Sequence, residues 1–191
     1  MHKTLKMLVP AFILLAISGI MALLLGGTNL LTAQKISERA AGAQQQAIAK
    51  VLPAQSYETK KTTLNGTEYE YTVAKNGSEI IGYAFTVSHN GYGGTVETVI
   101  GLTPNGAVTG IEVSDVSGET PGLGQKVRNE DFSSQFAGKT AENAYQIDTI
   151  SGATISSNAA IVAVEHACAA YEALASGGQS AQSTQEGGVQ E

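Results

Sequence analysis

Between Met7 and Leu25 the chain reads MLVPAFILLAISGIMALLL, 19 residues without a single charge. At about 1.5 Å per helical residue, that is close to the length needed to cross a hydrocarbon core of roughly 30 Å. A helix is the one local structure that satisfies all of its own backbone polar groups in such a medium. Pro10 lies in the first turns of the run, where a missing backbone N–H does least damage. Lys3 and Lys6 precede the run and favour a cytoplasmic N-terminus; Lys35 and Arg39 beyond it weaken that bias without reversing it. The alternative is a cleaved signal peptide, whose apolar core is usually shorter. The nearest small-x-small site, Leu31-Thr32-Ala33, has Leu where a small residue is wanted. A retained single-span anchor is therefore the expectation.

From Asn29 to Leu52 the composition remains helical, with Leu30, Ala33, Ile36 and Ala40 recurring at spacings of three or four, and Pro53 closing the segment. Residues 57 to 115 then change character. Short runs rich in β-branched and aromatic residues (Glu68–Ala74, Glu79–Ser88, Thr95–Thr103, Val108–Ser114) alternate with Asn65-Gly66, Asn76-Gly77, Asn90-Gly91 and Asn105-Gly106. Asn-Gly between strand-like runs is a hairpin signal, so a meander of antiparallel strands is expected. A loop from Ser117 to Gln125 and a mixed stretch to Tyr145 follow. The last element, about Ser156 to Leu174, reads as a helix with Ser156 or Ser157 placed to cap it. The Gly/Gln/Ser/Glu composition beyond is that of a disordered tail. The fold class is α+β: a single N-terminal transmembrane helix, an antiparallel-sheet domain and a C-terminal helix.

Charge excludes one class of function. All 17 acidic residues follow the apolar run, against nine of the 11 basic ones, so the domain is acidic and repels phosphate backbones. No nucleic acid partner is expected. Cysteine usage excludes another class. Cys168 is alone, without a CxxC or a Cys/His cluster, so the chain cannot by itself hold an iron–sulfur cluster or a c-type haem. Cys168 reads as a small buried apolar residue. His89 and His166 are single histidines without partners at ligand spacing, one on a loop surface and one on a helix face; no metal site is expected. Glu165 and Glu172 read as the solvated side of the last helix. No Ser/His/Asp or Cys/His arrangement points to a hydrolase, and no catalytic residue is assigned. An electron carrier built this way needs an organic cofactor.

The informative stretch is Asp148-Thr149-Ile150-Ser151-Gly152-Ala153-Thr154-Ile155-Ser156. Ser151-Gly152-Ala153 is a run of minimal side chains that lets a bulky group approach the backbone. A helix begins immediately afterwards, and its unpaired amides and positive dipole end form an anion site. Thr154 offers a hydroxyl there. On these residues alone, a serine- and threonine-rich helix cap on an ordinary turn is the favoured reading of the segment. Two other segments stand out: His89-Asn90-Gly91-Tyr92-Gly93-Gly94 and Glu119-Thr120-Pro121-Gly122-Leu123-Gly124. Neither is a nucleotide loop. From Gly91 the pattern GxGxxG fails at Val96, and no Walker lysine exists.

DxxSGATxS resembles the flavinylation motif of the FMN-binding domain family, which is shared by components of bacterial Rnf-type and NqrC-containing respiratory complexes. The GYGG turn and the ETPGLG loop are similar to two further segments of that family, in the same order. The resemblance implies FMN bonded covalently through its phosphate to Thr154 by a flavin transferase that reads Asp148, Ser151 and Gly152, with Ala153 a further residue of the cofactor site. It also implies that Glu119, Thr120, Gly122 and the Gly93–Gly94 turn lie near the isoalloxazine ring. Small residues at Gly93, Gly94 and Gly122 would let a partner's redox centre come close. Length and simple architecture favour the RnfG type over the generally longer NqrC type. Implied with it are other Rnf membrane and iron–sulfur subunits as partners and coupling of electron flow between ferredoxin and NAD to ion pumping. The implied location is the inner (cytoplasmic) membrane, with the domain on its extracytoplasmic side.

The expected organisation is a cytoplasmic N-terminus (1–6), a transmembrane helix (7–26), a helical stalk (27–54), an FMN-binding domain (55–175) and a disordered tail (176–191). Rival readings are a stand-alone membrane-anchored flavinylated carrier for extracytosolic electron transfer, an NqrC-like component, a non-redox tethered binding module, and a secreted domain after signal cleavage.

Overall fold

The computed structural model describes residues 2–64 and 67–176. The Asn65-Gly66 turn and the tail from 177 onward lie outside the described residues. The chain divides into two compact units between Ala43 and Gln44. The first is the greater part of α1 (His2–Val51), one continuous helix with Pro10 inside its first turns. Phe12–Ala33 is long and apolar enough to cross a membrane, and none of it is buried within the chain. At ~1.5 Å per residue those 22 residues span roughly 33 Å. Leu30 and Ile36, members of the periodic stripe read from the sequence, are exposed. The buried face of α1 lies further on, at Ala47, Ile48 and Val51. The helix stops at Val51 because Pro53 disfavours helical geometry at Leu52.

The second unit is an α+β domain. Five strands, β1 (Ser56–Leu64), β2 (Thr67–Asn76), β3 (Glu79–Asn90), β4 (Thr95–Leu102) and β5 (Val108–Asp115), form one antiparallel sheet in chain order. Asn76-Gly77 and Asn105-Gly106 fall in the β2–β3 and β4–β5 turns, as expected. The β3–β4 turn instead takes four residues, Gly91 to Gly94, closed by the Gly91 amide donating to the Gly94 carbonyl at 2.8 Å. β1 was not among the expected strands. Its sequence SYETKKTTL has no alternation of apolar and polar residues. It is a strand because β2 offers it a full ladder, from Ser56 opposite Lys75 to Leu64 opposite Thr67.

Period-2 alternation splits the sheet side chains between two layers. Phe85, Val87, Val96, Ile100, Leu102 and Val113 share one core with the buried face of α3 (Thr154–Ser176). Ala74, Ala84 and Val99 face the other way and pack beneath Ala47, Ile48, Val51 and Leu52. α3 presents Ala159, Ala160, Ala163 and Ala167, all buried, so it lies close to the sheet. The free edge of β5 is closed. Gly138 and Val108 donate to the Val108 and Lys139 carbonyls, each at 2.8 Å, and Arg128 donates to the carbonyls of Val113 and Ser114. The β1 edge carries Glu58, Lys60 and Lys61, charges that discourage pairing with another strand.

Phe85 is fully buried at the centre of the α3-facing layer. Phe85→Ala should cost about 3–5 kcal/mol of unfolding free energy, measured by chemical denaturation of the solubilised chain. The exposed neighbour Ser88→Ala should stay within about 0.5 kcal/mol of wild type.

Candidate functional site

Three loops converge where β3 and β5 end and α3 begins. At their junction is Glu119, only 2% exposed. Its Oε1 accepts from the Gly93 amide at 3.1 Å, and its Oε2 accepts from Ser156 Oγ at 2.7 Å. The amides of Tyr92 and Gly94 also point at the carboxylate. Both oxygens need space that only glycine leaves. A Cβ on Gly91 would stand 2.1 Å from Oε1, and one on Gly124 would stand 2.1 Å from Oε2. Gly93 and Gly94 lie against the backbone of Gly118, where a Cβ would come within 2.4 Å and 2.8 Å. Burial pushes the Glu119 carboxyl up, but the hydrogen bonds from Ser156 and the amides of Gly93, Gly94 and Tyr92 outweigh it and hold it below its ordinary value.

On the other side of this junction, α3 begins at Thr154, two residues before the expected start. Gly152 has φ 78°, which an L side chain rarely adopts, and with Ala153 donating to the Ile150 carbonyl at 2.9 Å it closes a turn that leads straight into the helix. Ser156 and Ser157 are therefore not caps but buried residues of the first turns. Ser156 reaches back to Glu119. Ser157 Oγ donates to the Ala153 carbonyl at 2.9 Å and accepts from the Ile150 amide at 3.0 Å, fastening the turn to the helix. Helix geometry leaves the first amides of α3 without an intrahelical acceptor, and no acidic residue lies in that first turn. Thr154 itself is exposed.

Between these parts lies a cleft of about 450 Å³, within the ~300–1,000 Å³ usual for small-molecule sites. The structure brings Glu119, Thr120, Gly152, Ala153 and Thr154 together in its lining. Gly93 and Gly94 stand behind Glu119 instead, and the room left by their missing side chains is taken by Gly118. Gly122 (φ 74°) shapes the loop just before Leu123. Ser151 is exposed on the turn outside the lining, and Asp148 lies on a different surface, its backbone clamped by Gln135. The Asp148 amide donates to Gln135 Oε1 at 2.9 Å, and Gln135 Nε2 donates to the Asp148 carbonyl at 3.4 Å.

Five lining residues escaped selection from the sequence: Tyr92, Leu123, Gly124, Ile155 and Ser156. All lie inside the three quoted segments. Exposed large apolar side chains within glycine-rich loops were the available signal; Tyr92 is 74% exposed, and Ile155 and Leu123 are exposed too. His89 and His166, read as isolated, meet edge to face with ring centroids 6.1 Å apart. The alignment of β3 with α3 makes that pair, which chain spacing does not show. Among the described residues no group of three or more His, Cys, Asp or Glu side chains could hold a metal. Cys168 is buried, as expected, and burial pushes its thiol up to about 11.

Comparison with known proteins adds the following. The FMN-binding domain family matches residues 91–169. The G subunit of the Na(+)-translocating ferredoxin:NAD(+) oxidoreductase complex of Acetobacterium woodii is 33% identical over 187 residues, spanning 85% of this chain and 90% of that one. The G subunit of the proton-translocating ferredoxin:NAD(+) oxidoreductase complex of Clostridium ljungdahlii is 35% identical over 118 residues, spanning 56% and 62%. The G subunit of the ion-translocating oxidoreductase complex of Escherichia coli K12 is 29% identical over 162 residues, spanning 73% and 78%. Among solved structures, the C subunit of the Na(+)-translocating NADH-quinone reductase of Parabacteroides distasonis aligns with a TM-score of 0.47 at 22% identity, over 55% of this chain and 61% of that one.

Gly124→Ala should destabilise the domain by about 1–3 kcal/mol through its clash with the carboxylate, and cost less in a Glu119→Ala background. A double-mutant cycle from denaturation curves reads the difference. The Glu119 carboxyl is lowered in the folded state, so the stability it contributes is complete above its ordinary value of 4.5 and is lost as pH falls through the lower folded value. The stability advantage of wild type over Glu119→Gln should accordingly shrink across an acid titration and stay constant from pH 6 to 8.

Proposed function

The chain belongs to the G-subunit family of ion-translocating oxidoreductase complexes, and from that membership we propose that it carries FMN on Thr154 and relays electrons within such a complex. The whole assembly is a membrane-bound ferredoxin:NAD oxidoreductase of the Rnf type, in which this chain is the electron-carrying flavoprotein. FMN, when bound, supplies exchange of either one or two electrons, bridging partners of both kinds. The other Rnf membrane and iron–sulfur subunits are its partners, and a flavin transferase matures it.

The observation that carries the reading is the placement of Thr154. This exposed residue completes the SGAT segment and opens α3, beside a cleft large enough for a cofactor. A phosphoester on Thr154 Oγ1 keeps one negative charge, and the first amides of α3 are suited to hold it. Gly152 leaves the approach free of a side chain; a Cβ there would press on Leu123 Cδ1 at 3.3 Å. Tyr92, Leu123 and Ile155 offer apolar surface for a planar ring, and Thr120 offers a hydroxyl at its edge. Glu119 acts from behind, as the group that fixes the loops. Asp148 and Ser151, exposed and away from the cleft lining, are suited to being read by the transferase. In this reading residues 7–26 span the cytoplasmic membrane, 27–43 form the stalk, and the domain, which takes in the end of α1 from Gln44, works on the extracytoplasmic side.

Intact mass tests the proposal. Coexpressed with a flavin transferase and exported, the wild-type chain should gain the mass of FMN minus one water and fluoresce in a denaturing gel. Thr154→Ala should lack both, and Thr154→Ser should retain both. An unmodified wild type, with the transferase active on another substrate, would return SGAT to a helix cap.

A further inference from the structure

We infer that Glu119 is a positioning residue whose buried carboxylate keeps a standing negative charge in the cleft wall and so lowers the potential at which a flavin held there takes up electrons. The inference rests on FMN occupying the cleft beside Thr154.

Four observations support it. Glu119 lines the cleft yet is almost wholly withdrawn from water. Among the described residues its partners are neutral: the Ser156 hydroxyl and the amides of Gly93, Gly94 and Tyr92. The absent side chains of Gly91 and Gly124 make room for both of its oxygens. All the partners are donors, and only a carboxylate accepts on both oxygens; a carboxamide offers one. The carboxyl is held in its ionised form by these bonds, so the charge is present at neutral pH.

Neutral dipoles stabilise a charge without cancelling its field, whereas a paired cation would cancel it. In a wall shielded from water, that field is weakly screened. Electrons taken up with fewer accompanying protons leave net negative charge in the cleft, and the carboxylate opposes it. The site is thereby set to hold electrons at lower potential than a neutral wall would allow.

The test is the midpoint potential of the FMN-loaded full chain in detergent, by spectroelectrochemical titration, with one flavin per chain confirmed by mass. Glu119→Gln removes the charge, Ser156→Ala keeps the charge but removes one donor, and Glu112→Gln removes a charge outside the cleft. Glu119→Gln should raise the potential, Ser156→Ala should leave it unchanged or lower it, and Glu112→Gln should match wild type. A brace without electrostatic effect loosens the same junction in the first two variants, so both would move in one direction. That result, or no rise in Glu119→Gln, overturns the inference. If Glu119→Gln cannot hold flavin, Ser156→Ala decides: a rise overturns, no change or a fall supports. A wild-type chain that takes up no FMN overturns the functional reading itself, and this inference with it.

Discussion

A carboxylate shut away from water needs donors on both oxygens, and Glu119 collects them from two distant parts of the chain, so that three segments meet. The β3–β4 turn contributes amides, α3 contributes the Ser156 hydroxyl, and the loop after β5 contributes the carboxylate itself. The glycines of the two loops are largely the space this contact occupies. Gly91 and Gly124 leave room for the oxygens, while Gly93, Gly94 and Gly118 let two backbones touch. The GYGG and ETPGLG segments are thus two halves of one contact, and the cleft exists because that contact fixes its walls.

α3 depends on a different economy of side chains. Alanines along its buried face bring it close onto Phe85, Val96 and Ile100, and the sheet beneath fixes where its first turn ends up. Gly152 and Ser157 then fasten the preceding turn, so the amide end of the helix opens at the cleft with Thr154 exposed. The first turn faces negative charge twice, from the buried Glu119 and from the phosphoester proposed on Thr154. A diester has one charge rather than two, which limits the repulsion between them, and the helix dipole favours both.

Electron transfer asks for a cofactor that stays in place and a site that another redox centre can approach. The covalent bond proposed on the exposed Thr154 would satisfy the first demand without enclosing the ring. Closure of the β5 edge by Arg128 and the Gly138–Lys139 segment, and the charges on β1, leave the loop end of the sheet as the open face. The apolar length of Phe12–Ala33 suits a chain that works beside membrane-embedded partners.

Much was legible from residues alone, and for a common reason. The uncharged N-terminal run, the helix before Pro53, four of the five strands, the Asn-Gly turns at Gly77 and Gly106 and the Thr154 segment are all written in neighbours a few positions apart. Length, period and backbone freedom act at that range. β1 was not legible because an edge strand without alternation owes its conformation to its partner. The start of α3 moved two residues because a turn through Gly152, closed by the Ala153 amide on the Ile150 carbonyl, replaced the expected serine cap. The meeting of His89 with His166 and the withdrawal of Glu119 from the solvent were decided only by the tertiary structure. The Glu119 bonds join residues 26 and 37 positions apart, and no local pattern encodes which distant amide or hydroxyl a folded sheet and helix will bring to a carboxylate.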